Sequence, residues 1–122
     1  MLREAPVAIF IENRGPFSGG RASLLRASPR ALALAIVGYE LEFASLGAAI
    51  QSMWLAAMEF GLSAVFMGDV AVAEAAIGDL LDIRGDLFGA LVLGYTPSSE
   101  LQPHLSTPGS LGREADLVRW DT

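Results

Sequence analysis

With one histidine, no cysteine and no lysine, this chain has few side chains able to do covalent or metal chemistry. His104 lies between Pro103 and Leu105, and one imidazole without thiolates makes no metal site, so it reads as a solvated loop residue. Asp79, Asp82 and Asp86 cluster in sequence and read as a solvated helix end and turn rather than an acid–base pair. Ser18, Ser45, Ser52 and Ser63 have no nucleophile-elbow context, so nothing here suggests a hydrolase. The run ENRGPFSGGR, Glu12 to Arg21, is rich in glycine and flanked by arginine, as a phosphate cradle is. It lacks both the Lys-Ser/Thr ending of a nucleotide loop and the spacing of a dinucleotide fingerprint, so it reads as a flexible connection. Arg21, Arg26 and Arg30 read first as a solvated face, with a phosphate contact as the other reading.

The elements that would have to position any chemistry centre on Ser45 to Gly68, SLGAAIQSMWLAAMEFGLSAVFMG. Leu46, Ile50, Met53 and Ala57 fall at helical spacing, while Trp54, Leu55 and Met58 cover the other faces. A helix with so little polar surface is expected to be buried all round. Gly61 suits its C-terminus, and Val65 and Phe66 suit a strand covered on both faces. Upstream, Ala5 to Ile11 is a strand candidate, and Ser28-Pro29 is a helix start that leads to Val37 and a pause near Gly38. Whether that segment and the central helix are two helices or one bent helix is open. Downstream, Asp69 can cap a helix over Val70 to Leu81 whose apolar face is Val72, Ala76 and Leu80 with Ile77 and Leu81. Phe88 to Leu93 is a continuous apolar run, expected to be a central strand.

Composition sets the broad class. At 122 residues and 12.9 kDa the chain is one domain, with 52% hydrophobic residues and a mean hydropathy of +0.45. That is more apolar surface than a small domain easily hides, so part of it is expected to meet another subunit. The longest membrane candidate, Ala31 to Gly38, is too short to cross a bilayer, and Met1 to Arg3 does not open a signal peptide. The expectation is a cytoplasmic protein without membrane or nucleic-acid partners, since its net charge is −6. All eight cations are arginine, which can still hold an anionic cofactor locally.

The order of these pieces resembles the FMN-dependent nitroreductase family. Gly47, Ala48, Ala49, Ile50, Gln51, Leu55, Ala56 and Ala57 match its central helix, Gly61-Leu62 its turn, and Phe66-Met67-Gly68 the end of the following strand. The helix ending in DLLDI and the strand ALVLGYTP are similar to its closing helix and strand. The resemblance implies an α+β, truncated nitroreductase-like fold: a small β-sheet packed with a central buried helix, and an extended C-terminal arm. On this view residues 1–97 form half of a nitroreductase-like core, and 98–122 form the arm and a short helix that embraces another subunit.

The resemblance also implies a cofactor, FMN, which carries the hydride itself and asks few side chains of the protein. Phe66, Met67 and Gly68 would lie beside its ring, with a backbone N–H near Gly68 or Asp69 directed at the ring nitrogen that exchanges hydride. Gly68 equally suits an ordinary strand-to-helix turn. Arg113 matches the family's C-terminal basic position on the FMN phosphate, and reads otherwise as a surface arginine. Nothing in Met1 to Glu12 corresponds to the family's N-terminal Arg-rich motif, so the chain looks like the second half of the domain. The implied setting is a homo-oligomer, or a hetero-oligomer with a larger nitroreductase-like subunit as in cyclodipeptide oxidases, acting on a small molecule. The alternative is a structural or interaction subunit that keeps the dimerising helix without flavin.

Overall fold

The computed structural model describes residues 4–96. The elements in chain order are β1 (Val7–Asn13), a single helical turn α1 (Arg21–Leu24), α2 (Pro29–Glu59), β2 (Ser63–Met67), a 3-10 helix (Asp69–Ala73), α3 (Glu74–Leu81) and β3 (Asp86–Gly94). The strands form one antiparallel sheet in the order β1-β3-β2, so the continuous apolar run is central, as its composition requires. Leu87, Ala90, Leu91 and Val92 of β3 are buried. This is a mixed helix and sheet architecture of the expected α+β class, a small β-sheet packed against a long central helix. The expected C-terminal arm lies outside the described residues.

The helix α2 crosses one face of the sheet. Ile50 is its buried anchor on Ile11 and Leu91, with Leu46, Met53, Trp54, Ile9, Ala64, Phe66, Phe88 and Leu93 packed around them. The helical stripe read from Leu46, Ile50, Met53 and Ala57 is therefore the sheet-facing one. Its start is as the sequence specifies, with Pro29 in the first turn and the Ser28 Oγ accepting from the Ala31 N–H at 3.3 Å. Its end is a Schellman motif: Gly61, at φ 72°, lets its N–H reach the Met58 carbonyl and the Leu62 N–H reach that of Ala57, each at 2.9 Å.

Several expectations need correction, among them the strand expected to be covered on both faces: β2 is an edge strand, and Val65 on its outer face is exposed. The helix α2 does not pause at Gly38 but runs unbroken for 31 residues. Gly38 marks a close approach instead, because a Cβ there would lie 3.3 Å from Phe17 Cβ, where the preceding loop presses on the helix. The uninterrupted α2 is also long and apolar enough to cross a bilayer by length and composition, unlike the short run Ala31 to Gly38. A core helix of a soluble protein meets the same criterion. Finally, α2 is not buried all round within this chain. Only Glu42, Ile50 and Ala57 are buried, while Leu34, Val37, Leu41, Leu55 and Met58 are exposed. A three-stranded sheet is too narrow to cover more than one stripe of such a helix.

The helix expected over Val70 to Leu81 is split. Asp69 makes no side-chain cap, a 3-10 turn occupies Asp69–Ala73, and the α-helix begins only at Glu74. The stripe read as its apolar face points outward: Val72 and Leu80 are 94% and 81% exposed, Ala76 between them is exposed as well, and Ile77 is the half-buried one.

Candidate functional site

The loop between β1 and α2 is not a loose connection. Glu42, alone among the carboxylates of α2 in being buried, accepts from Asn13 Nδ2 at 2.8 Å, the Phe17 N–H at 2.7 Å, the Ser18 N–H at 2.8 Å and Ser18 Oγ at 2.7 Å. Burial alone would raise the Glu42 carboxyl, but these donors together hold it down at about 2. The N–H groups that would have cradled a phosphate are thus taken by the protein's own carboxylate. The following donors are taken as well: the Gly19 N–H gives to the Gly15 carbonyl, the Gly20 N–H to Ser18 Oγ, and the Arg21 N–H to Asp86 Oδ2 at 2.7 Å, an oxygen to which the Tyr39 hydroxyl also donates at 3.2 Å. Asp86 is therefore a tether and not a free turn residue.

Arg21 closes the other side. Its guanidinium binds Glu74 at 2.7 Å, and Glu74 Oε1 also takes the Leu87 N–H at 2.6 Å, joining loop, α3 and β3. The Arg21 contact, followed by that N–H, lowers the Glu74 pKa. Arg21 is exposed, as a solvated face requires, and its guanidinium is also engaged in this ion pair. A carboxylate in the middle of an apolar helix was the available sign for Glu42. An isolated buried charge is costly, so a buried Glu must have partners.

At the strand end the geometry is open. Phe66 and Met67 are half-buried, Gly68 and Asp69 are exposed, and the chain turns from β2 into the 3-10 helix at Gly68. Gly68 has φ −82° and ψ −24°, a conformation any residue adopts, and a Cβ on it would meet nothing nearer than Phe66 Cε1 at 3.5 Å. Among the described residues no hydrogen bond takes up the N–H of Gly68 or Asp69. The ring of Phe66 turns inward to Phe88, at a centroid distance of 5.5 Å. Phe88 in turn meets Phe43 at 4.9 Å, and Phe43 meets Tyr39 at 4.6 Å, so Phe66 ends an aromatic row that runs back to Asp86.

Of the predicted site residues, the structure thus brings together Phe66, Met67, Gly68 and Asp69 as one exposed corner. Arg113 lies outside the described residues. Among the described residues no group of three His, Cys, Asp or Glu could hold a metal ion.

The Nitroreductase family model matches residues 1–95 of the chain. The chain belongs to the nitroreductase family. A search of curated proteins finds no match. The family match begins at residue 1, so it takes in β1 and the Glu42-bound loop as well as the central helix and its strand. For a nitroreductase-family chain the expected cofactor is a flavin, and the oxidoreductase character follows at the same level of detail. The exposed corner fits one edge of such a group: among the described residues no hydrogen bond takes up its two backbone donors, and the one side chain beside Gly68 is the Phe66 ring, in ordinary van der Waals range of the Cβ position. The Glu12 to Arg21 loop does not supply a grip for its phosphate, since the Arg21 guanidinium and the N–H groups of Phe17, Ser18 and Arg21 are already engaged.

Proposed function

We propose that this chain is a component of an FMN-dependent oxidoreductase that completes a flavin site at a subunit interface. The observation that carries the proposal is the β2 end, where no hydrogen bond among the described residues takes up the Gly68 or Asp69 N–H, at an exposed glycine on a nitroreductase-family fold. FMN, when bound, supplies hydride transfer to or from a small molecule. The chain's part is to present the Gly68 or Asp69 N–H to the edge of the flavin ring from the end of β2. Met67 and Gly68 border the ring, and Arg113 binds the phosphate by family resemblance.

Half a pocket needs a second half. The uncovered face of α2, with Leu34, Leu41 and Leu55 each more than half exposed, supports assembly with a second copy or a larger nitroreductase-like subunit. The same face favours the other reading, a non-catalytic interaction subunit. A visible absorption spectrum of the purified protein, alone and co-expressed with a larger nitroreductase-like chain, separates the two. A yellow flavin spectrum at least in the complex, weakened by Arg113→Ala, supports the flavin reading. A colourless complex of intact stoichiometry contradicts it.

A further inference from the structure

We infer that Gly89 is a positioning residue for the proposed flavin edge: by carrying no side chain it seats the Phe66 ring, which fixes where the Gly68 backbone stands. The inference rests on the flavin reading above, and its test separates the two.

In the sheet Phe66 pairs with Leu91, so Gly89 is its diagonal neighbour on β3 and shares its face. An aromatic ring reaches that far, and here it does. A Cβ on Gly89 would lie 2.4 Å from Phe66 Cζ, 2.6 Å from Cε2 and 2.9 Å from the Met67 carbonyl oxygen. The opposite edge of the same ring, Cε1, is 3.5 Å from the place a Cβ on Gly68 would take. The ring therefore fills the space left between two glycines.

Nothing in the backbone asks for glycine at 89, which is not among the residues of positive φ. Glycine in a strand interior weakens it, and this one is fully enclosed in the central strand. Its role is spatial. Nor has the ring a ready retreat. Phe88 stands behind it at 5.5 Å, turned to the helix side where the β1 register shifts between Ile11 and Glu12, and is itself held edge-on by Phe43. A methyl group at 89 thus displaces the Phe66 ring and the Met67 carbonyl, the two groups that precede the Gly68 N–H.

The test uses the full-length chain in its flavin-binding assembly and three variants: Gly89→Ala, Phe66→Leu, and the two combined. In the apo protein, Gly89→Ala and Phe66→Leu each move the Gly68 and Asp69 amide resonances, and the double variant brings them back toward wild type, relative to Gly89→Ala. In FMN titrations Gly89→Ala weakens binding by about tenfold, the loss of one aimed hydrogen bond, and shifts the flavin absorption band. Far-ultraviolet circular dichroism confirms folding. Should Gly89→Ala not fold, Phe66→Leu carries the test alone, because it removes the ring without adding bulk. Unmoved amides in Phe66→Leu, or FMN binding by Gly89→Ala equal to wild type, overturn the inference while leaving the flavin reading intact. A wild-type assembly that takes up no FMN overturns both.

Discussion

Asn13 and Glu42, 29 residues apart in sequence, meet in a buried 2.8 Å hydrogen bond that ties the end of β1 to the middle of α2. Around it the backbone of Phe17 and Ser18 turns inward, so one carboxylate organises the whole loop. Glu42→Ala leaves the Asn13 amide, the Ser18 hydroxyl and two N–H groups unpaired. The expected loss is about 3 kcal/mol, checked by urea unfolding. Glu42→Asp, too short to reach all four donors, loses part of it.

The same carboxylate predicts an acid transition. Its folded pKa is about 2 against an ordinary 4.5, so the stability it contributes is fully present above about 4.5. It drains away as pH falls from there toward 2. Thermal melts from pH 6 downward, at a buffer series spanning roughly pH 6 to 2, should show a steeper decline for wild type than for Glu42→Gln. Parallel declines would contradict this.

Asp82 sits in the left-handed region at φ 53° and ψ 41°, at the C-terminus of α3. Asp82→Gly removes that strain at the cost of an exposed ion pair with Arg84 that contributes little. A gain of about 0.5–1 kcal/mol in chemical denaturation is expected.

Leu55 is 56% exposed and Leu41 59% exposed on the uncovered side of α2. A Leu41→Glu, Leu55→Glu double variant should keep the circular dichroism spectrum of the fold while abolishing assembly in sedimentation. Leu91→Ala, by contrast, hollows a fully enclosed site and costs about 3 kcal/mol without touching that face.

Much of the architecture was legible in the sequence because it rests on local signals. Ser28-Pro29 and Gly61 set the ends of α2, and the unbroken apolar run Phe88 to Leu93 marks the central strand. What was not legible depends on partners distant in sequence. Gly38 looks like a helix breaker until Phe17 is seen against it, and the Glu12 to Arg21 run looks loose until Glu42 and Asp86 collect its N–H groups. Apolar spacing after Gly68 marks a stripe but not what covers it, and the stripe Val72, Ala76 and Leu80 faces outward. At the candidate site, Phe66-Met67-Gly68-Asp69 was legible as a unit, but the inward turn of the Phe66 ring depends on Gly89, twenty-odd residues further along the chain.

Sedimentation velocity followed at both the protein and the flavin absorption bands addresses the central claim most directly. The account predicts flavin absorbance travelling with an assembly larger than the 12.9 kDa single chain. A well-behaved single chain, colourless alone and in company with a larger nitroreductase-like subunit, would contradict it.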